Sequence, residues 1–367
     1  MRIQLNIALS FILIISFLAC DSNEPIDDDP SNLAVDIVQY EDEPGKIVIQ
    51  AEAANAVQYE LYIGSAEGFI EENVTGVFEY TFEQSGIYQV VVRAYGNSGR
   101  YVKASREVTI LIDDGVDVDK GYTSPMEYSG YDLVWSDEFG GNVVNEENWV
   151  FETGTGCPNC GWGNNELQYY RRDNAWLDNG VLVIEAREQN YGGNNYTSAR
   201  MKTQGNQSFM YGRVDIRALL PEGQGIWPAL WMLGDNISTV GWPACGEIDI
   251  MEMIGGDGRE NEVHGTLHWD SDGHKYTGGS FELQSGLFSD EYHVFSITWD
   301  SSTVKWFVND TQYHEIDITP GDITEFHDKF FFLFNVAVGG NWPGSPDNTT
   351  IFPQQMRVDY IRVFQKQ

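Results

Sequence analysis

From Tyr128 to the C-terminus the apolar runs of this 367-residue chain are short, and turn-forming Gly, Asn and Asp separate them. Examples are GVLVIEAR, GRVDIRALL, GEIDIMEM, EVHGTLHW, HVFSITWD, TVKWFVND, FFLFNVAV and RVDYIRVFQ. Their apolar residues largely repeat every second position, the period of a strand, and no long segment carries the 3.6-residue period of an amphipathic helix. A strand with one apolar face can bury it only against another sheet. Residues 128–367 are therefore expected to form one large antiparallel sandwich. A single domain of that size is ordinary for an all-β chain.

Residues 32–114 repeat the pattern on a smaller scale in KIVIQAEA, VQYELYIG, FEYTF, GIYQVVVRAYG and SREVTILID. They predict a smaller N-terminal immunoglobulin-like β-sandwich. The stretch between them, residues 115–127 (GVDVDKGYTSPME), reads as a linker. At the start, Arg2 precedes an apolar run from Ile7 to Ala19, too short for a mature transmembrane helix and of signal-peptide form. Residues 1–19 are read as that signal. FLAC, followed at once by polar and acidic residues, resembles a bacterial lipobox, which makes Cys20 the expected lipidation site. The acidic residues 20–31 have little to bury and are expected to be a disordered tether. The implied location is the bacterial cell envelope, with the protein anchored to the outer membrane by lipid alone, or else secreted.

A nucleic-acid binder normally needs a basic patch, so the formal charge of −35 argues against a nucleic-acid partner. Three cysteines remain beyond Cys20: Cys157 and Cys160 in GCPNCGW, and Cys245. No second Cys/His pair with metal spacing accompanies the Cys-x-x-Cys, so zinc is not expected. One disulfide suits an oxidising compartment, with its connectivity open.

GEIDIMEMIG carries Glu247, Asp249 and Glu252. The first two share a strand face, but a spacing of five would turn Glu252 to the other side. One β-bulge within Ile250–Met251 restores the facing. Four effective steps then put the glutamate Cα atoms roughly 13 Å apart. Side chains leaning together would bring the carboxyls to about 5–6 Å, close to what a retaining glycosidase needs. The bland alternative, an acidic strand facing solvent, does not explain why the acids alternate with Ile, Ile and Met.

EIDIME resembles the signature of glycoside hydrolase family 16, in the bulged form carried by laminarinases, the endo-β-1,3-glucanases. WSDEFGG, WGNNELQYY, YTSARMKTQG, YGRVDIRALLPEGQGIWPALWMLG, WPACGEIDIMEMIG, GTLHW, NVAVGGNWPG and VDYIRVFQ resemble that family in the same order. The resemblance implies a β-jelly-roll, with Glu247 as nucleophile and Glu252 as acid and base. Asp249 would hold the charge between them, with Glu252 kept protonated and Glu247 ionised. It further implies that Asn165, Arg200, Trp227, Trp231, His268 and Trp342 bind the sugar, while His264 is structural. A structural calcium at Glu138, Gly180 and Asp359 is implied as well, and no cofactor is required for catalysis. The implied partner is a β-glucan and the implied state a monomer. YTFEQSGIYQVVVRAYGNSG in turn resembles polycystic-kidney-disease-type modules found beside bacterial polysaccharide enzymes. Two other readings stay open: the same fold acting on mixed-linkage glucan, agar or carrageenan, and a non-catalytic glycan-binding lipoprotein.

Overall fold

The computed structural model describes residues 29–40, 43–64, 68–82, 85–112 and 115–367. Cys20 and the signal peptide lie outside the described residues. The N-terminal region is β-rich. Ser31–Gln39, Lys46–Ala54 and Val77–Thr81 form a three-stranded sheet. Gly68–Asn73, Gln58–Ile63, Gly86–Tyr95 and Tyr101–Ile110 form a four-stranded one. Ile47, Ile49, Leu61, Phe78, Val90 and Val92 are buried together in one apolar cluster.

The larger region is a jelly-roll of two sheets. The sheet that matters for function has seven strands: β1 (Val150–Glu152), β2 (Arg200–Lys202), β3 (Ile226–Gly234), β4 (Glu247–Glu252), β5 (Glu262–Asp270), β6 (His274–Glu282) and β7 (Phe330–Val338). Its spatial order is β6-β5-β4-β3-β7-β2-β1. A ten-stranded sheet covers one face of it, and Met232, Ile248, Met251, Leu267, Ile297 and Trp306 are buried in the shared core. Each such side chain taken fully out of water contributes about 1.5–3 kcal/mol. Among the described residues the only α-helix is the four-residue turn Ile237–Val240.

The segment expected as a linker runs along the ten-stranded sheet. The Arg217 guanidinium, 1% exposed, donates to the carbonyls of Val118, Lys120 and Tyr122 and to Asp359 Oδ2. Gly121 bridges to Tyr292, and the Tyr360 hydroxyl accepts from the backbone N–H of Ser124. Residues 118–124 thus spend their backbone hydrogen bonds on the jelly-roll rather than on water.

Candidate active site

The strand that carries the acids is irregular where the odd spacing requires it. Across β4 and β5, Glu247 faces His268, Asp249 faces Thr266 and Glu252 faces His264, so two residues of β4 oppose one of β5 between the last pairs. Across β4 and β3, Asp249 faces Trp231 and Met251 faces Leu230, the same extra residue seen from the other side. Ile250 and Met251 both enter the core. Glu247, Asp249 and Glu252 consequently share the face directed away from the ten-stranded sheet.

The bulge frees a backbone group, and the opposite sheet satisfies it. Trp306, fully buried, donates its indole N–H to the Asp249 carbonyl at 2.8 Å. Gly265 of β5 makes room for that indole: a Cβ there would stand 2.3 Å from Trp306 Cδ1.

Each carboxylate has its own partners. Glu247 Oε2 accepts from the Trp242 indole at 3.1 Å. His268 Nε2 lies 3.2 Å from Asp249 Oδ2 and 3.7 Å from Glu247 Oε1, and its Nδ1 lies 2.8 Å from His274 Nε2. Glu252 Oε1 accepts from the Trp227 indole at 3.0 Å. Lys and Arg make no ion pair with the three acids among the described residues, so burial dominates their protonation. Burial, then the Asp249 charge, raises Glu247 to about 8. Burial alone raises Asp249 to about 8. Burial and the Asp249 charge raise Glu252 well above the usual carboxylate range. The expectation that Glu252 keeps a proton agrees with that direction. The expectation that Glu247 simply stays ionised does not, because it too is withdrawn from water. As pH rises the coupled acids lose their protons stepwise.

The other expected sugar-binding residues fall on the same face or its rim. Trp231 pairs in register with Asp249 and donates its N–H to Asn335 Oδ1 at 2.8 Å. Trp342 stands edge-on to Trp227 and to His264, so His264 faces the site where a structural place was expected. The Arg200 guanidinium is paired with Glu152 at 2.6 Å and sits between the rings of Trp162 and Trp231. Asn165 donates to Asn341 Oδ1 at 2.7 Å, tying two rim loops together. Trp242, Asn335, His274 and Trp306 were missed from sequence. Trp242 alone had a visible signal, its place in WPACGE just ahead of Glu247.

The expected calcium ligands lie elsewhere and are differently engaged. Both Glu138 carboxylate oxygens bind Arg362, at 2.9 and 2.7 Å, and Asp359 binds Arg217 at 2.7 Å. Two carboxylates already neutralised by arginine do not fit the anionic oxygen set that calcium takes. Glu247, Asp249 and His268 form a group whose ligating atoms lie within 4.8 Å of one another. Cys157 and Cys160 form a disulfide, and Cys245 is a free, buried thiol raised to about 12 by burial.

A jelly-roll presenting clustered carboxylates from a bulged strand, each met by an indole or imidazole, defines a glycoside hydrolase of the two-carboxylate type. The chain belongs to the glycosyl hydrolases family 16, whose family model matches residues 159–362. A second model, for beta-glucan synthesis-associated protein SKN1/KRE6/Sbg1, matches residues 69–248. The chain is 44% identical over 237 residues to the clotting factor G alpha subunit of Tachypleus tridentatus, covering 64% of this chain and 34% of that one. It thus spans about a third of that relative's length. It is 41% identical over 252 residues to a beta-glucanase of Rhodothermus marinus, covering 64% of this chain and 85% of that one. The laminarinase catalytic domain of Thermotoga maritima superposes with a TM-score of 0.59 at 46% identity, covering 65% of this chain and 99% of that domain.

Proposed function

We propose that this protein is an endo-acting, retaining β-1,3-glucanase that cuts laminarin-type glucan by double displacement. One observation carries the reading: the bulge at Ile250–Met251 puts Glu252 on the same face as Glu247. Glu247, held by Trp242, attacks the anomeric carbon while protonated Glu252 delivers its proton to the leaving oxygen. Glu252, now a carboxylate, then takes a proton from the water that attacks the glycosyl-enzyme ester, and Glu247 departs. His268, 3.7 Å from Glu247 Oε1 and 3.2 Å from Asp249 Oδ2, steadies the charge that Glu247 carries. The substrate class is supported by the relatives, a beta-glucanase and a laminarinase.

Digestion of laminarin by the full chain, followed by anomeric NMR, tests this. Initial β-anomers and loss of turnover in Glu247→Ser are expected. Cleavage of agarose or mixed-linkage glucan instead would overturn the substrate, and α-anomers would overturn the mechanism.

We further propose that residues 32–114 are an accessory module of the polycystic-kidney-disease type, on the strength of their sequence pattern. FLAC supports lipidation at Cys20 and an outer-membrane location. In place of a structural calcium at Glu138, Gly180 and Asp359, we propose that Arg217 and Arg362 supply the positive charge.

A further inference from the structure

One oxygen of the acid cluster is left over by the hydrogen bonds around it. Asp249 is 3% exposed, and its Oδ2 is buried and accepts no hydrogen bond among the described residues. A buried carboxylate oxygen without a donor is costly. This one is aimed at the cleft side of β5, where His268 Nε2 stands 3.2 Å away. Glu247 pairs in register with His268, and its Oε1 lies 3.7 Å from the same nitrogen. One donor atom from each of the three residues thus lies within 4.8 Å of the other two. Donors that hold an ion tetrahedrally at about 2.0–2.2 Å stand roughly 3.4 Å apart.

We propose that Glu247, Asp249 and His268 bind a divalent transition-metal ion of the zinc class, and that the bound ion blocks turnover by occupying Glu247. The block rests on the glucanase reading above; the binding of the ion does not. An imidazole beside two carboxylates suits zinc and its neighbours, whereas Mg²⁺ and Ca²⁺ take oxygen donors. Each donor is also held from behind, as the ligands of metal sites are. Glu247 Oε2 accepts from the Trp242 indole at 3.1 Å, which leaves Oε1 turned toward the imidazole. His268 Nδ1 lies 2.8 Å from His274 Nε2. With an ion on Nε2, His268 keeps its proton on Nδ1 and donates it to His274. Trp306 fixes the backbone of Asp249 from the core side. Donors positioned in advance lose little freedom on binding.

The test is titration of the full chain with ZnCl2 by calorimetry and with CoCl2 by visible absorption, with CaCl2 alongside. Zn²⁺ is expected to bind more tightly than Ca²⁺, and Co²⁺ to gain the visible bands of a four- or five-coordinate ion. Zn²⁺ should inhibit laminarin digestion, and more laminarin should relieve the inhibition. His274→Ala changes an exposed residue and removes only the partner of His268 Nδ1. It should weaken Zn²⁺ about 10–100-fold. His268→Gln and Asp249→Asn each remove a ligand and should weaken it further. Zn²⁺ affinity unchanged in all three variants is what an acidic surface alone would give, and it would overturn the site. Ca²⁺ bound as tightly as Zn²⁺ would overturn the choice of ion, and inhibition that laminarin does not relieve would overturn the block. Zn²⁺ bound by the wild type and lost from the variants, with laminarin left uncut, would uphold the ion site and overturn the glucanase reading.

Discussion

Trp306 lies in the ten-stranded sheet, on the far side of the core from any substrate, yet its indole holds the Asp249 carbonyl at the bulge. Trp306→Phe keeps an aromatic ring in the core and removes that donor. A buried carbonyl left without a partner costs about 1–3 kcal/mol. The smaller ring adds a cavity cost. The loss should show in urea denaturation as a lower midpoint with an unchanged slope. The catalytic effect should be separate and larger. Ile250 and Met251 set the angle between Asp249 and Glu252, and a displacement of about 1 Å at reacting groups can cost roughly 100-fold. We therefore expect kcat on laminarin to fall at least about tenfold while KM changes little. Gly265→Ala approaches the same bond from β5 by pushing the indole aside, and should reproduce the split. A Trp306→Phe protein with wild-type kcat but reduced stability would show that the bond serves the fold alone. Wild-type values of both would refute the argument that the bulge needs this donor.

Two further predictions concern charge. Asp249 sits at about 8 in the folded protein against an ordinary 3.8, so the native state keeps a proton that the unfolded chain has lost between those values. Its contribution to stability is therefore present below pH about 4 and lost as pH rises through about 8. Asp249→Asn should remove up to about 1.4 kcal/mol per pH unit from that slope, which urea titrations at pH 5 and 8 would register, and an identical slope would sink the idea. Arg217→Met strands the carbonyls of Val118, Lys120 and Tyr122 and the Asp359 carboxylate. Breaking a buried pair of this kind costs about 3–5 kcal/mol, so the unfolding midpoint should drop and proteases should nick residues 115–127. A midpoint at the wild-type value would show that the bonds from Arg217 to residues 118–122 add nothing.

The sequence by itself determined the class of fold and the strand that carries the three acids. Period-two alternation is a local property that survives without any knowledge of neighbours, and the odd spacing from Glu247 to Glu252 called for a bulge. The partners of the acids were beyond its reach, because they come from distant parts of the chain. Trp306 is 57 residues from Asp249, and Asn335 is 104 from Trp231. The expectation of an ionised Glu247 left burial out, since sequence shows which groups are acidic but not how far water is excluded from them. The charge balance at the expected calcium ligands was hidden for the same reason. Glu138 and Arg362 lie 224 positions apart, and only folding shows that an arginine already neutralises that carboxylate. Local spacing fixes which way a side chain points along its own strand. The tertiary structure decides what it meets there, because sheet register joins residues that the chain keeps far apart.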